Sequence, residues 1–303
     1  PKNAKYPKDM NPGDSNIRWI KLYQNNDWVW IPVRLRKTDI NYINKYWGAC
    51  EDKSAPTLEK IHNKYYLRFS FTETVILSDT PIAEQIICAV DLGINTDAVC
   101  SIMKADGTIL ARKFIDFTSD KDRMIHAMNR TRRKQSKYGP RSATSLWAYV
   151  KRLNNNRAKK TASAIVEFAA QNSVDVIVME HLDFQCCKKR GSKAQKLSMW
   201  NHGAIRKCVE QKAHLRGIRI ATICAWKTSA LAFDGSGSVA RDDNNHALAT
   251  FTTGKQYNCD LSASYNIGAR YFIRELLKSL SATEESRVKA KVPDVGRDRK
   301  SVV

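Results

Sequence analysis

Three acidic residues of this 303-residue chain sit where an apolar segment begins or ends. Asp91 closes the apolar run of IICAVDLGI (86–94), and Glu180 closes that of VDVIVMEHLDF (174–184). Asp260 opens the small and apolar stretch of NCDLSASYNIG (258–268). Singly, each has an ordinary role: turn former, paired strand-end charge, helix N-cap. Brought to one point, three carboxylates repel one another unless cations lie between them. An all-oxygen donor set suits Mg²⁺ or Mn²⁺. Two such ions about 4 Å apart activate a water and stabilise the leaving oxygen of a phosphodiester. Asp91, Glu180 and Asp260 are thus candidate metal ligands and catalytic acids for phosphodiester cleavage, provided the fold brings them together.

The charge balance points to the substrate class. Lys and Arg total 51 against 30 acids, a formal net charge of +21. An excess of this size strains a compact protein by self-repulsion unless a polyanion neutralises it, and nucleic acid is the usual one. An anionic membrane is the rival, but no apolar run approaches the roughly 20 residues a span needs. The charge is concentrated: residues 121–160 hold 13 Lys and Arg against the single acid Asp122, with Tyr138, Trp147 and Tyr149 interleaved. So little internal ion pairing favours phosphate contact over a merely solvated face. Arg130, Arg132, Arg133, Lys134, Lys137, Lys151 and Arg152 are the candidate contacts.

The remaining composition sets bounds. The N-terminal PKNAKYPKDMNPGDSN has no apolar signal-peptide core and no initiator Met, so a processed product or a fragment is expected. Eight cysteines (Cys50, Cys88, Cys100, Cys186, Cys187, Cys208, Cys224 and Cys259) include no C-x-x-C pair. Free thiols in a cytosolic protein fit them better than a disulfide framework or a zinc site.

The elements follow from periodicity. WVWIPVRLR (28–36) and KYYLRFSF (64–71) alternate like half-buried strands, with turns at Asn25-Asn26-Asp27 and His62-Asn63. Between them TDINYINKYW (38–47) reads as a short helix capped by Thr38. Together they predict a small β-rich domain, a partial barrel. From residue 86 the pattern changes to a buried strand, then two more strands around the turn Asp106-Gly107. Two basic helices broken at Gly139-Pro140 precede a buried strand ending at Glu180. A helix around 200–215, a strand at 217–223 and the helix opening on Asp260 complete the series. This order resembles that of the ribonuclease H-like fold, in which acids on the first strand, the fourth strand and the last helix converge.

AVDLGIN, VMEHLDF and CDLSASYNIGARY also resemble, in order, the three split RuvC motifs of the TnpB family. These are transposon-encoded, RNA-guided nucleases related to the compact type V CRISPR effectors. The resemblance spans roughly residues 86–280. It implies that Asp91, Glu180 and Asp260 are the metal-binding catalytic acids, that one or two Mg²⁺ or Mn²⁺ ions are the cofactors, and that guide RNA and target DNA are the partners. A cytosolic location in a bacterium or archaeon follows, with no membrane association. The segment before residue 86 resembles the C-terminal half of the family's wedge domain; the first half and the recognition lobe are not visible.

Implied domains are a wedge-like β part (1–85), a nuclease core (86–225), a zinc-ribbon-like insertion that contacts target nucleic acid (226–258), the third-motif helix (259–280) and a basic, flexible tail (281–303). The insertion departs from the family. The four cysteine positions of the ribbon fall on Ala232, Gly235, Thr250 and Thr253, none a usual zinc ligand, and His246 and Cys259 cannot rebuild the site. A hairpin held by its own packing, without structural zinc, is expected. The complete acid triad favours an RNA-guided DNA endonuclease. The alternatives are a non-cleaving, RNA-guided DNA binder or another nuclease or transposase of the same fold.

Overall fold

The computed structural model describes residues 17–47, 52–53, 57–61, 63–68, 70–182, 199–242, 245, 247–280 and 283–284. Residues 1–16, Cys50, Cys186, Cys187, His246 and the expected tail, apart from 283–284, lie outside this set. The chain divides into two units, Pro1–Thr74 and Val75–Val303.

In the first unit, β1 (Ile17–Gln24) and β2 (Asp27–Arg34) form an antiparallel hairpin. Asn25 and Asn26 turn it with φ of 50° and 61°, the conformation a two-residue hairpin loop needs and Asn tolerates. Helix α1 (Lys37–Trp47) is fastened at its start by Asp39, whose carboxylate accepts from the Arg36 amide at 3.2 Å and the Arg36 Nε at 2.9 Å. Thr38, the expected cap, lies inside the helix; the acid one residue later reaches back and takes that role. The strands β3 (Asp52–Lys53) and β6 (Phe71–Thr72) pair, as do β4 (Thr57–Ile61) and β5 (Lys64–Arg68). Among the described residues these are three separate two-stranded ladders.

The second unit is built on a five-stranded mixed sheet. Its strands are β7 (Ile86–Asp91), β8 (Ala98–Lys104), β9 (Ile109–Ile115), β10 (Val176–His181) and β11 (Arg219–Cys224), in the spatial order β11-β10-β7-β8-β9. β7, β8 and β9 form an antiparallel meander, and β10 and β11 add on parallel to β7. The parallel additions need crossovers, and helices supply them. The pair α2 (Thr118–Tyr138) and α3 (Thr144–Gln171), separated by a 3₁₀ turn at Pro140–Ala143, leads to β10. Helix α4 (His202–His214) leads to β11, and α5 (Cys259–Ser279) follows the small antiparallel sheet of β12 (Ala240–Arg241), β13 (Leu248–Thr250) and β14 (Gln256–Asn258).

Both faces of the large sheet are covered. Cys88, Val90, Ile177 and Met179 pack with residues of α3 and α4. Ile87, Ala89, Val176 and Val178 pack on the other face with Leu261, Tyr265, Ile267, Tyr271 and Phe272 of α5. Gly268 lets α5 approach closely: a Cβ there would lie 3.0 Å from the Met103 thioether sulfur and 3.3 Å from the Ala89 Cβ.

Two carboxylates, one half-buried and one fully buried, lock the frame. Asp175, just ahead of β10, accepts the Ser78 and Thr80 hydroxyls at 2.6 Å each and the Ile86 amide at 2.9 Å. These bonds tie residues 78–86 to the sheet, so the unit starts at Val75 and not at residue 86. Asp97, fully buried in the loop between β7 and β8, takes the Arg157 Nε at 2.7 Å and the Phe117 amide at 2.9 Å. It thereby fixes the loop after Asp91 to the start of α2 and the middle of α3.

Candidate active site

Strand parity puts the first two acids on one face. Side chains alternate along a strand, so Asp91 follows Ile87 and Ala89 onto the α5 side, and Glu180 follows Val176 and Val178 there. The β7–β10 register runs to Val90 opposite Met179. Asp91 and Glu180 are the next residues on neighbouring strands, which lie about 4.8 Å apart. Asp260 comes to the same place from the first turn of α5. That helix is capped by Asn258, whose side chain accepts the Leu261 amide at 2.9 Å. The cap role proposed for Asp260 is therefore filled two residues earlier, and its carboxylate is left for the site.

Asp91 feels the charge of both other acids. Burial pushes the Asp91 carboxyl well above its ordinary range; the charges of Glu180 and Asp260 push the same way, and Arg241 pulls against them. Burial also raises Glu180, against the hydrogen bond from Thr228 and the charge of Arg270. Asp260 is raised by burial and opposed by Arg241. All three carboxyls are thus raised toward their neutral forms, and a nearby cation would oppose that shift. Among the described residues, however, no three His, Cys, Asp or Glu side chains stand close enough to cage an ion as they are. The donor set fits a hard divalent ion by charge and element, and the geometry is a convergence without a closed cage.

Four residues around the acids were not legible as site residues. Buried Thr228 places its hydroxyl on Glu180 Oε1 and 3.1 Å from the Ala225 carbonyl. Asn266, two turns into α5, clamps that same turn by donating to the Thr228 and Leu231 carbonyls at 2.8 Å each. Arg270 donates to the Cys224 carbonyl at 3.0 Å. Arg241 comes from the inserted sheet, donates to the Ser229 carbonyl at 3.1 Å, and acts on both Asp91 and Asp260. A threonine in a turn and an arginine on a two-residue strand carry no periodicity, so only their packing reveals them. Beside Glu180 a cavity of about 280 Å³ is bounded by Leu92, His181, His202 and Arg206.

The insertion packs as a small apolar sheet. Ala232, Ala249, Phe251 and Cys259 are buried together. Phe233 meets Phe251, Tyr257 and Tyr265 at ring-centroid distances of 5.5, 4.9 and 5.1 Å. Of the four aligned ligand positions, Ala232 is a core residue, Gly235 a turn with φ of 77°, and Thr250 ends β13. Cys88, Cys100, Cys208, Cys224 and Cys259 are free thiols.

The seven basic candidates are all exposed, on α2 and the first half of α3. They do not share one face. At 100° per residue, Arg130, Arg133, Lys134 and Lys137 form one stripe of α2. Arg132 lies on the other side of the helix, in line with Lys121, Met124, Ile125, Met128 and Asn129, all lining one cavity.

No family model and no curated protein matches the sequence. Solved structures do match. A cryo-EM structure of CasPhi-2 (Cas12j) bound to crRNA is similar at TM-score 0.53 and 12% identity, over 83% of this chain and 61% of that one. A structure of the mini-RNA-guided endonuclease CRISPR-Cas_phi3 is similar at TM-score 0.51 and 12% identity, over 82% and 57%. A Cas12f1–sgRNA–target DNA complex matches at TM-score 0.46 and 16% identity, over 83% and 64%. The two similarities above TM-score 0.5 show a shared mixed α/β fold with the CasPhi structures, and the chain spans between 57% and 64% of the three structures' own length. Among the described residues no helix is long and apolar enough to cross a membrane.

Proposed function

We propose that this chain is the nuclease portion of an RNA-guided DNA endonuclease of RuvC type, related to the TnpB group. The observation that carries the reading is the meeting of Asp91, Glu180 and Asp260 from two adjacent strand ends and one helix start, each carboxyl raised by burial. Those three side chains would hold Mg²⁺ or Mn²⁺. When bound, the ions supply Lewis-acid charge that makes water a better nucleophile and offsets charge on the leaving oxygen. The chain's own residues do the rest. Thr228 orients Glu180, Asn258 frees Asp260 by taking the cap, and Arg241 supplies a fixed cation beside two of the acids for the charge that develops at phosphorus. The basic stripe of α2 holds strand backbone, and guide pairing reads sequence.

The experiment is cleavage of guide-matched DNA by wild type, Asp91→Ala, Glu180→Ala and Asp260→Ala, with Mg²⁺ titrated and binding measured in parallel. Cleavage should need Mg²⁺ or Mn²⁺ and vanish in all three variants while binding holds. Parallel loss of binding would assign the acids a structural role. A wild type that binds guide and target but never cuts would establish the non-cleaving alternative, which now rests on no observation beyond the open carboxylate geometry.

A further inference from the structure

The face of α2 turned away from the basic stripe is largely apolar. Lys121, Met124, Ile125, Met128, Asn129 and Arg132 follow the i, i+3, i+4, i+7 spacing of a single helical stripe. They line a cavity of about 460 Å³ with Ile94, Asn95, Arg157, Met199 and Trp200. That volume is within the range of small-ligand sites. The walls are mostly apolar, and two of their residues stay exposed: Ile125 at 51% and Ile94 at 40%. Two arginines are among the lining residues. Arg132 sits on the stripe itself, and Arg157 is held rigid in the wall by Asp97 at 2.6 Å.

We propose that this cavity receives one unstacked nucleobase of single-stranded DNA. The proposal rests on the nuclease reading and deepens it. The chemistry of the walls selects the ligand. A phosphate or a sugar gains nothing among Met124, Met128 and Ile125, and a purely apolar ligand gains nothing from Arg132. A nucleotide has both characters: a flat π-faced ring for the thioethers and the Trp200 indole, and an anionic backbone for Arg132. The Asn95 and Asn129 amides offer donors and acceptors to a base edge. Placement gives the purpose. Ile94 follows Asp91 by three residues, so at most about 11 Å of chain separates them. A base seated here anchors the strand within a few nucleotides of the acids, and flipping it costs least when the strand is already single.

The test uses the full chain in chelator, so that DNA is bound and not cut. Single-stranded oligonucleotides carry one 5-iododeoxyuridine at successive positions, and near-ultraviolet cross-links are mapped by mass spectrometry. Cross-links from one or two adjacent positions to Trp200, Met124 or Met128 are expected. Cross-links confined to other aromatics, such as Tyr138 and Trp147, would overturn the proposal. Met128→Trp crowds one wall of the cavity, and Trp200→Ala removes the platform. Each should weaken single-strand affinity by roughly 5- to 150-fold, the range of one lost base stack. Neither should alter the slope of log K against log salt, because no phosphate contact is lost. Wild-type affinity in Met128→Trp, or a flattened salt slope with no change in cross-links, would refute the base site. If wild type fails to bind DNA at all, the nuclease reading falls with it. If wild type binds and cuts while the cross-links miss the cavity, only this inference falls.

Discussion

Removing the exposed charges of α2 gives a quantitative test, because the helix separates them into two sets. Arg130, Arg133, Lys134 and Lys137 recur at i, i+3, i+4 and i+7, one stripe about 100° wide, and all four side chains are exposed. No ion pair among the described residues engages them. Arg132 points to the cavity side and should behave differently. Each phosphate contact releases counterions worth about 0.7 of slope on a single strand and 0.9 on a duplex. Changing the four to Gln should therefore flatten log K against log salt by roughly 2.8 to 3.6. Over a fourfold rise in salt, the wild-type and variant affinities should converge by about 50- to 150-fold. Arg132→Gln alone should take away no more than about one contact's slope. Fluorescence-anisotropy titrations of guide RNA and target DNA at four or more salt concentrations give the slopes directly. Sequence preference should not change, since base pairing would read sequence. An unchanged slope in the four-fold variant would show that the stripe is only a solvated surface, and the phosphate assignment would be refuted.

Three other outcomes are expected. Gly93→Ala would put a Cβ 2.6 Å from the Thr96 carbonyl oxygen in the loop that follows Asp91, so the loop must shift; cleavage should fall by about 100-fold while DNA binding is retained, measured by single-turnover kinetics. Asp175 is pushed up by burial but held below its ordinary range on balance by the Ser78 and Thr80 hydroxyls and the Ile86 amide. A depressed carboxyl contributes stability that is present above the unfolded value and lost as pH falls through the folded one. Ser78→Ala with Thr80→Val should thus cost about 1 kcal/mol per bond at neutral pH by urea unfolding, and the gap should close on acidification below about pH 4. Pure protein should carry no zinc by elemental analysis; one zinc per chain would contradict the reading of Ala232, Gly235, Thr250 and Thr253 as lost ligands.

Much of the second unit is readable from pattern, because its elements bury whole faces. The runs IICAV and VIVM are apolar at every position, as strands covered on both sides must be, and the helices break at Gly139-Pro140 as written. Local hydrogen bonding misled at the start of α1. Thr38 is a good capping type, but Asp39 does the capping, since the choice among neighbouring polar side chains depends on the exact entry angle of the chain. The first unit was less legible still: short ladders carry too few alternating residues to fix how they close, and in β2 Val29 is 43% exposed.

By itself, then, the sequence determined the order of elements, the three acids at the ends of apolar segments, and a cationic stretch between the first two. These are set by composition and period, which are local properties. Only the tertiary structure decided which side of the sheet each acid occupies, that Thr228 and Arg241 belong with them, and that α2 presents one face of charges and another of methionines to a cavity. The reason is physical. Strand parity, register and the docking of an insertion depend on contacts between residues far apart in the chain, 48 positions for Thr228 and Glu180 and 169 (260 − 91) for Asp91 and Asp260, and no window of sequence contains both partners.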